Sequence, residues 1–122
     1  MSELLNSLTR LLPNTQCVIG TVAFDGGTPS LTQLSGVAES DQAQVSIVDD
    51  ATGVVTISVT NFRGPSGYLI GGSLGTTTIS TFVSCTTQSY TANTDTANFT
   101  FKVENDASTA TDAGFNFFLL AY

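Results

Sequence analysis

The chain has 122 residues, of which 41% are hydrophobic and only 11% are charged, with a net charge of -7 and no histidine. This length suits one domain with a single core, and the absence of histidine excludes Ser-His-Asp and Cys-His catalysis and removes the commonest metal ligand. Its three basic residues, Arg10, Arg63 and Lys102, do not cluster, which argues against nucleic acid and anionic membranes as partners. The composition therefore predicts a protein that is not an enzyme and that uses no metal or cofactor.

The first predicted element is an amphipathic α-helix from Ser2 to Leu12, within an N-terminal segment of residues 1–13. Its apolar stripe follows the helical spacing i, i+1, i+4, i+7, i+8 and consists of Leu4, Leu5, Leu8, Leu11 and Leu12. Ser2 caps the first turn and Pro13 ends the helix. Because so short a helix is marginal in water, its leucines must pack either on the sheet of their own domain or on a neighbouring copy or larger partner. The sequence leaves both alternatives open.

After Pro13 the hydrophobic period changes to two, which is typical of strands. The strands are predicted at residues 16–24, 30–39, 44–48, 54–60, 68–70, 76–85, 97–104 and 114–122, with turns at 25–27 and 49–53 and polar loops at 63–67 and 86–96. About eight short strands separated by turns predict an all-β domain, an antiparallel β-sandwich or jelly roll, over residues 14–122.

The last predicted strand is apolar on both faces, which is unusual for a strand with one side in water. Such a strand is covered on both sides, so we expect it to lie centrally or at a subunit interface. We therefore predict a partner or subunit interface made of the helix stripe and this strand, with the residues Leu4, Leu5, Leu8, Leu11, Leu12, Phe115, Phe117, Phe118, Leu120 and Tyr122.

Three further features of the sequence are interpreted as structural. Cys17 and Cys85 fall in predicted strands without any sign of secretion, so both are expected to be free thiols. Asp49 and Asp50 match no calcium-loop spacing and are expected in a turn. The N-terminus lacks the basic start of a signal peptide, and no apolar run reaches the roughly 20 residues needed to span a bilayer, so synthesis in a cytoplasm is expected.

Three segments resemble the small β-domain that recurs among structural proteins of tailed bacteriophages. They are residues 52–59 (TGVVTISV), 98–103 (NFTFKV) and 112–122 (DAGFNFFLLAY). The last segment, a Gly-Phe-x-Phe strand that ends the chain, also resembles trimeric jelly rolls of the tumour-necrosis-factor-like type. The resemblance covers roughly the C-terminal two-thirds and carries no catalytic motif. An amphipathic helix followed at once by a compact domain is similar to a capsid decoration (cement) protein, whereas a fibre subunit usually has a long repetitive stalk.

The resemblance implies a non-enzymatic virion protein that binds the major capsid protein as a homotrimer, and so decorates and stabilises the shell. It would be made in the host cytoplasm and carried on the capsid surface, without nucleic acid or membrane as a partner. The alternative is a receptor-binding or adhesive module of a phage tail or fibre, with Arg63, Tyr68 and Tyr90 as contact residues. A third interpretation is a small intracellular binding domain unrelated to viruses.

Overall fold

A computed structural model gives the placement of residues 16–25, 27–36, 45–62, 66–74, 81–105 and 107–122. These residues form eight β-strands and no helix: β1 (Gln16–Asp25), β2 (Thr28–Gly36), β3 (Val45–Ala51), β4 (Val54–Thr60), β5 (Tyr68–Leu74), β6 (Thr81–Thr91), β7 (Thr96–Asn105) and β8 (Phe115–Ala121). The all-β class predicted from the period-two pattern is thus observed. The predicted helix at residues 2–12 lies outside the described residues and stays a prediction.

The strands form two antiparallel sheets of four strands each. Sheet A has the order β2-β1-β8-β5 and sheet B has the order β3-β4-β7-β6. The predicted two-faced strand, β8, lies in the middle of sheet A between β1 and β5. This position gives β8 a neighbouring strand on each edge. That its outer face is also covered, by a second layer or by a subunit interface, stays a prediction.

Short turns decide which strands are neighbours. The β3–β4 hairpin turns at Thr52 and Gly53, and Gly53 has a φ of 70°, in the left-handed region that glycine adopts without steric cost. Turns this short cannot cross the roughly 10 Å between packed sheets, so β1–β2, β3–β4 and β6–β7 each stay within one sheet. The other four connections, β2–β3, β4–β5, β5–β6 and β7–β8, cross from one sheet to the other. The two-sheet sandwich is thus observed, and its jelly-roll character stays a prediction.

β6 is longer than the sequence predicted. Residues 86–91, which we expected to lie in a polar loop, continue this strand to Thr91, and the turn into β7 occupies only residues 92–95. A β-bulge between Cys85 and Thr87 interrupts the pairing with β7. Because β6 is an edge strand whose outward positions face solvent, polar residues are tolerated there and conceal the strand in the sequence.

The core lies between the two sheets and is rich in phenylalanine. Alternating side chains of β4, β7 and β8 supply most of it, and its largest fully buried members are Ile57, Phe62, Phe99, Phe101, Phe115, Phe117 and Leu119. The ring centroid of Phe101 lies 5.3 Å from that of Phe115 and 6.3 Å from that of Phe117. Aromatic packing therefore joins sheet B to sheet A through β7 and β8.

Tyr68 anchors the chain where it crosses from β4 in sheet B to β5 in sheet A. Its hydroxyl donates a hydrogen bond of 2.8 Å to the carbonyl oxygen of Phe62. Its ring stacks at 5.8 Å on Phe62 and meets Phe99 edge-on at 5.3 Å. This is the type of contact made by the tyrosine corner of immunoglobulin-like sandwiches, in which a tyrosine hydroxyl bonds to backbone a few residues upstream. Tyr68 thus belongs to the core rather than to a contact loop.

A candidate attachment surface on the outer face of sheet A

The outer face of sheet B is polar along its central strands, which are joined by side-chain hydrogen bonds, and its edge strands carry the exposed apolar side chains Val48 (β3) and Phe82 (β6). The hydroxyls of Thr56 and Thr100 lie 2.9 Å apart, and the Ser58 hydroxyl donates to Asn98 Oδ1 at 2.7 Å. Farther along β7, the Lys102 ammonium lies 3.1 Å from the Glu104 carboxylate. The polar surface of these central strands is well solvated, so its burial against a partner would contribute little to binding.

The outer face of sheet A is apolar along its two central strands. Cys17 and Ile19 of β1 and Phe118 and Leu120 of β8 form a cluster separate from the main core, which we call the outer cluster. The register places Cys17 opposite Leu120 and Ile19 opposite Phe118. Because opposite residues of antiparallel strands have Cβ atoms about 4.5–5.5 Å apart, the four side chains form one continuous apolar patch.

Two members of the outer cluster are almost fully buried although they point away from the main core. Cys17 and Leu120 are each only 3% exposed, whereas Ile19 and Phe118 are half-buried. Burial also raises the pKa of the Cys17 thiol to about 11, because the thiolate loses its hydration. The outer cluster therefore has the burial of a second small core on the outside of sheet A.

Exposed apolar side chains continue the outer cluster toward the β5 edge. Leu69 lies opposite Leu120 and is 53% exposed, and the Tyr122 side chain that follows β8 is also exposed. On the other side of the cluster, between β1 and β2, a cavity of about 490 Å³ opens beside Ile19. The Thr21 hydroxyl donates to Asn116 Oδ1 at 2.8 Å in the wall of this cavity. Sheet A thus offers a partner both projecting apolar groups and a concavity.

The predicted interface residues fall into three groups. Phe115 and Phe117 lie in the core between the sheets. Phe118, Leu120 and Tyr122 lie on the opposite face of the strand, as the alternation of β8 predicts, and their role in an interface stays a prediction. The helix stripe, Leu4, Leu5, Leu8, Leu11 and Leu12, lies outside the described residues.

Sequence reasoning missed the contribution of β1 and β5 to this surface. The signal in β1 was present, because Cys17 and Ile19 alternate with the buried Val18 and so make this strand apolar on both faces as well. Leu69 could be found only from the sheet order, which places β5 beside β8.

Two of the three contact residues of the alternative receptor-binding module, Tyr68 and Tyr90, lie in the part of the chain that the structure describes. Tyr68 packs against the main core, and Arg63 lies outside the described residues. Tyr90 is exposed on β6, where its hydroxyl donates to the carboxylate of Asp95 in the following turn. Of the three residues, Tyr90 is the one that the structure describes at the surface.

The described residues offer no group of three or more His, Cys, Asp or Glu side chains that could hold a metal ion. Asp50, which had been considered as a calcium ligand, accepts a hydrogen bond from the Thr56 hydroxyl instead. The described part of the chain also has no helix with the length and hydropathy that crossing a membrane requires. No protein-family model, curated protein or solved structure matches the chain. Its function must therefore be argued from its surfaces.

Proposed function

We propose that this chain is a non-enzymatic structural protein that decorates and stabilises a bacteriophage capsid by binding the shell as a homotrimer. The observation that supports the proposal is the continuous apolar patch on the central strands of sheet A, whereas the central strands of sheet B are polar and its exposed Val48 and Phe82 lie apart on the edge strands β3 and β6. A decoration protein needs this contrast, because one side must bury apolar area on the shell while the other stays in water.

The attachment contacts that we assign are Leu69 and Tyr122, the exposed apolar side chains beside the outer cluster. An interface of standard size buries roughly 800 Å² on each partner, more than two side chains supply, so the attachment surface must extend beyond Leu69 and Tyr122. In a trimer the second and third contacts form at high local concentration, which raises the overall affinity without new contacts. The net charge of -7 disfavours binding to nucleic acid.

Co-sedimentation with capsid shells that lack the protein tests the proposal, using the major capsid protein that we expect among the neighbouring reading frames. We expect Leu69→Glu to weaken binding by about tenfold or more, because it places a charge in an apolar contact. Val48→Glu is the matched control, since Val48 is 54% exposed and Leu69 53%, but Val48 lies on the outer face of sheet B. Equal binding by both variants, or no capsid gene among the neighbouring reading frames, would contradict the proposal.

Native mass spectrometry tests the homotrimer separately. We expect the mass of three chains at micromolar concentration, either for the free protein or for the protein released from shells. A monomer in both samples would contradict this part of the proposal.

A receptor-binding or adhesive module is the second candidate, and the exposed Tyr90 beside the β6–β7 turn favours it. Aromatic side chains of this kind are enriched among residues that dominate binding energy. If Tyr90→Ala abolishes adsorption to host cells while Leu69→Glu leaves it unchanged, this second function replaces the first.

A further inference from the structure

The exposure of neighbouring side chains changes abruptly on the outer face of sheet A. Leu120 is 3% exposed, and Leu69, directly opposite it on β5, is 53% exposed. Leu69 lies on the edge strand β5, with a neighbouring strand on one side only, whereas Leu120 lies on the central strand β8. Because Leu120 and Cys17 point outward and are each only 3% exposed, more than the neighbouring strands must cover them.

The N-terminal segment, residues 1–15, begins at the right place to be that cover. It joins β1 at Gln16, next to the buried Cys17. Residues 13–15 span at most about 10 Å when extended, which keeps the predicted helix close to this end of sheet A. A helix from Ser2 to Leu12 is about 16 Å long, enough to cover two strands about 5 Å apart.

The chemistry of the segment also matches the patch. Its leucine stripe is the one large apolar surface that the sequence predicts outside the sandwich, and the outer cluster is an apolar surface of the sandwich that the main core does not use. The short connection at residues 13–15 favours packing on the same chain over exchange with a second copy.

We infer that residues 1–15 fold back over the outer face of sheet A and pack the leucine stripe on the outer cluster of their own chain. This assigns the five leucines to their own domain and leaves Leu69 and Tyr122 as the exposed apolar side chains beside the cover. The inference does not rest on the proposed function, because it concerns the isolated protein.

Labelling of the two thiols under native conditions tests the inference, because Cys17 lies in the outer cluster and Cys85 packs against the main core. In the double variant Leu8→Asp and Leu11→Asp, we expect Cys17 to react with an uncharged maleimide at least about tenfold faster, while the rate at Cys85 stays unchanged. The matched control is Asn6→Asp with Ser7→Asp, which adds the same charge on the opposite face of the predicted helix and should leave both rates unchanged. An unchanged rate at Cys17 in the leucine variant would overturn the inference.

If the leucine variant unfolds, both thiols will react faster. A second measurement then tests where the N-terminal segment packs. A Leu8→Cys variant in the Cys85→Ser background is oxidised at low concentration and run on a non-reducing gel. A disulfide to Cys17 within one chain supports the inference. A covalent dimer shows that the segment is exchanged between copies, and no disulfide shows that it lies elsewhere, so either result overturns it.

Discussion

The surrounding chain constrains both the backbone conformation of Gly53 and the space available for a side chain at this position. Besides the left-handed φ of 70°, a Cβ atom at this position would lie 2.7 Å from both the Val103 carbonyl oxygen and the Thr111 backbone nitrogen. Its backbone nitrogen donates to Asp112 Oδ1 at 2.7 Å, and its carbonyl accepts from the Val103 nitrogen at 2.8 Å. The β3–β4 turn is thereby joined to β7 and, through Asp112, to the segment that leads into β8.

The first prediction is that Gly53→Ala destabilises the protein by about 2 kcal/mol or more, through the left-handed conformation and the two backbone contacts. Gly71→Ala is the control, since no atom lies within 4 Å of a Cβ at Gly71. Alanine there should be neutral or slightly stabilising, because it reduces the freedom of the unfolded chain. Urea unfolding measures both changes, and equal stabilities of the two variants would show that the turn is not constrained in this way.

The second prediction concerns Cys17, whose thiol pKa is raised from 9.0 to about 11 by burial. Below pH 9 the folded and unfolded states both keep the proton; between pH 9 and 11 the folded state alone keeps it. Stability should therefore fall as pH rises through this window, by up to about 2–3 kcal/mol from this thiol. Urea unfolding at pH 8 and pH 11 should show a smaller loss for Cys17→Ala than for the unchanged protein. The same loss in both proteins would mean that Cys17 is open to water.

At the scale of elements, the tyrosine contact at the β4–β5 crossing gives the third prediction. Tyr68→Phe keeps the ring against Phe62 and Phe99 but removes the donor to the Phe62 carbonyl oxygen. We expect a loss of about 1–2 kcal/mol in the free energy of unfolding. Tyr122→Phe, a change of the same kind at an exposed side chain, should be close to neutral. Thermal or urea unfolding of both variants measures the effect. An unchanged free energy of unfolding for Tyr68→Phe would show that the hydrogen bond to the Phe62 carbonyl does not stabilise the crossing.

The elements differ in how well the sequence predicted them, for a physical reason. β4 was predicted with its observed bounds, and β7 and β8 within one or two residues, because central strands with one face in the core must alternate strictly. The second half of β6 and the far half of β5 were missed because edge strands tolerate polar residues and glycines on their exposed positions. The part of the candidate attachment surface that lies on β8 could be predicted from the two apolar faces of this strand. The part on β5 depends on the order of the strands in sheet A, which the hydrophobic pattern of a single strand does not specify.

At the scale of the whole molecule, the described residues form two apolar layers rather than one. The main core lies between the sheets, the outer cluster lies outside sheet A, and the leucine stripe is the surface that we assign to cover it. A chain with only 11% charged residues needs such cover, because an uncovered apolar sheet face promotes association. The attachment contacts that we propose lie on the same side of the molecule as the outer cluster, and a deletion of the N-terminal segment can separate attachment from stability.

The last prediction is that deleting residues 1–13 lowers the melting temperature of the isolated protein and exposes the outer cluster. Each leucine is worth about 1.5–3 kcal/mol when buried, so the loss should amount to several kcal/mol, and a dye that fluoresces on apolar surfaces should bind. If the leucines instead attach the protein to a shell or to a neighbour, the deletion leaves the melting temperature of the monomer unchanged and abolishes co-sedimentation. Measuring both quantities on the deletion variant and on Leu69→Glu distinguishes the two roles. We expect a lower melting temperature for the deletion, and lost binding with an unchanged melting temperature for Leu69→Glu, because Leu69 is half exposed before any partner binds.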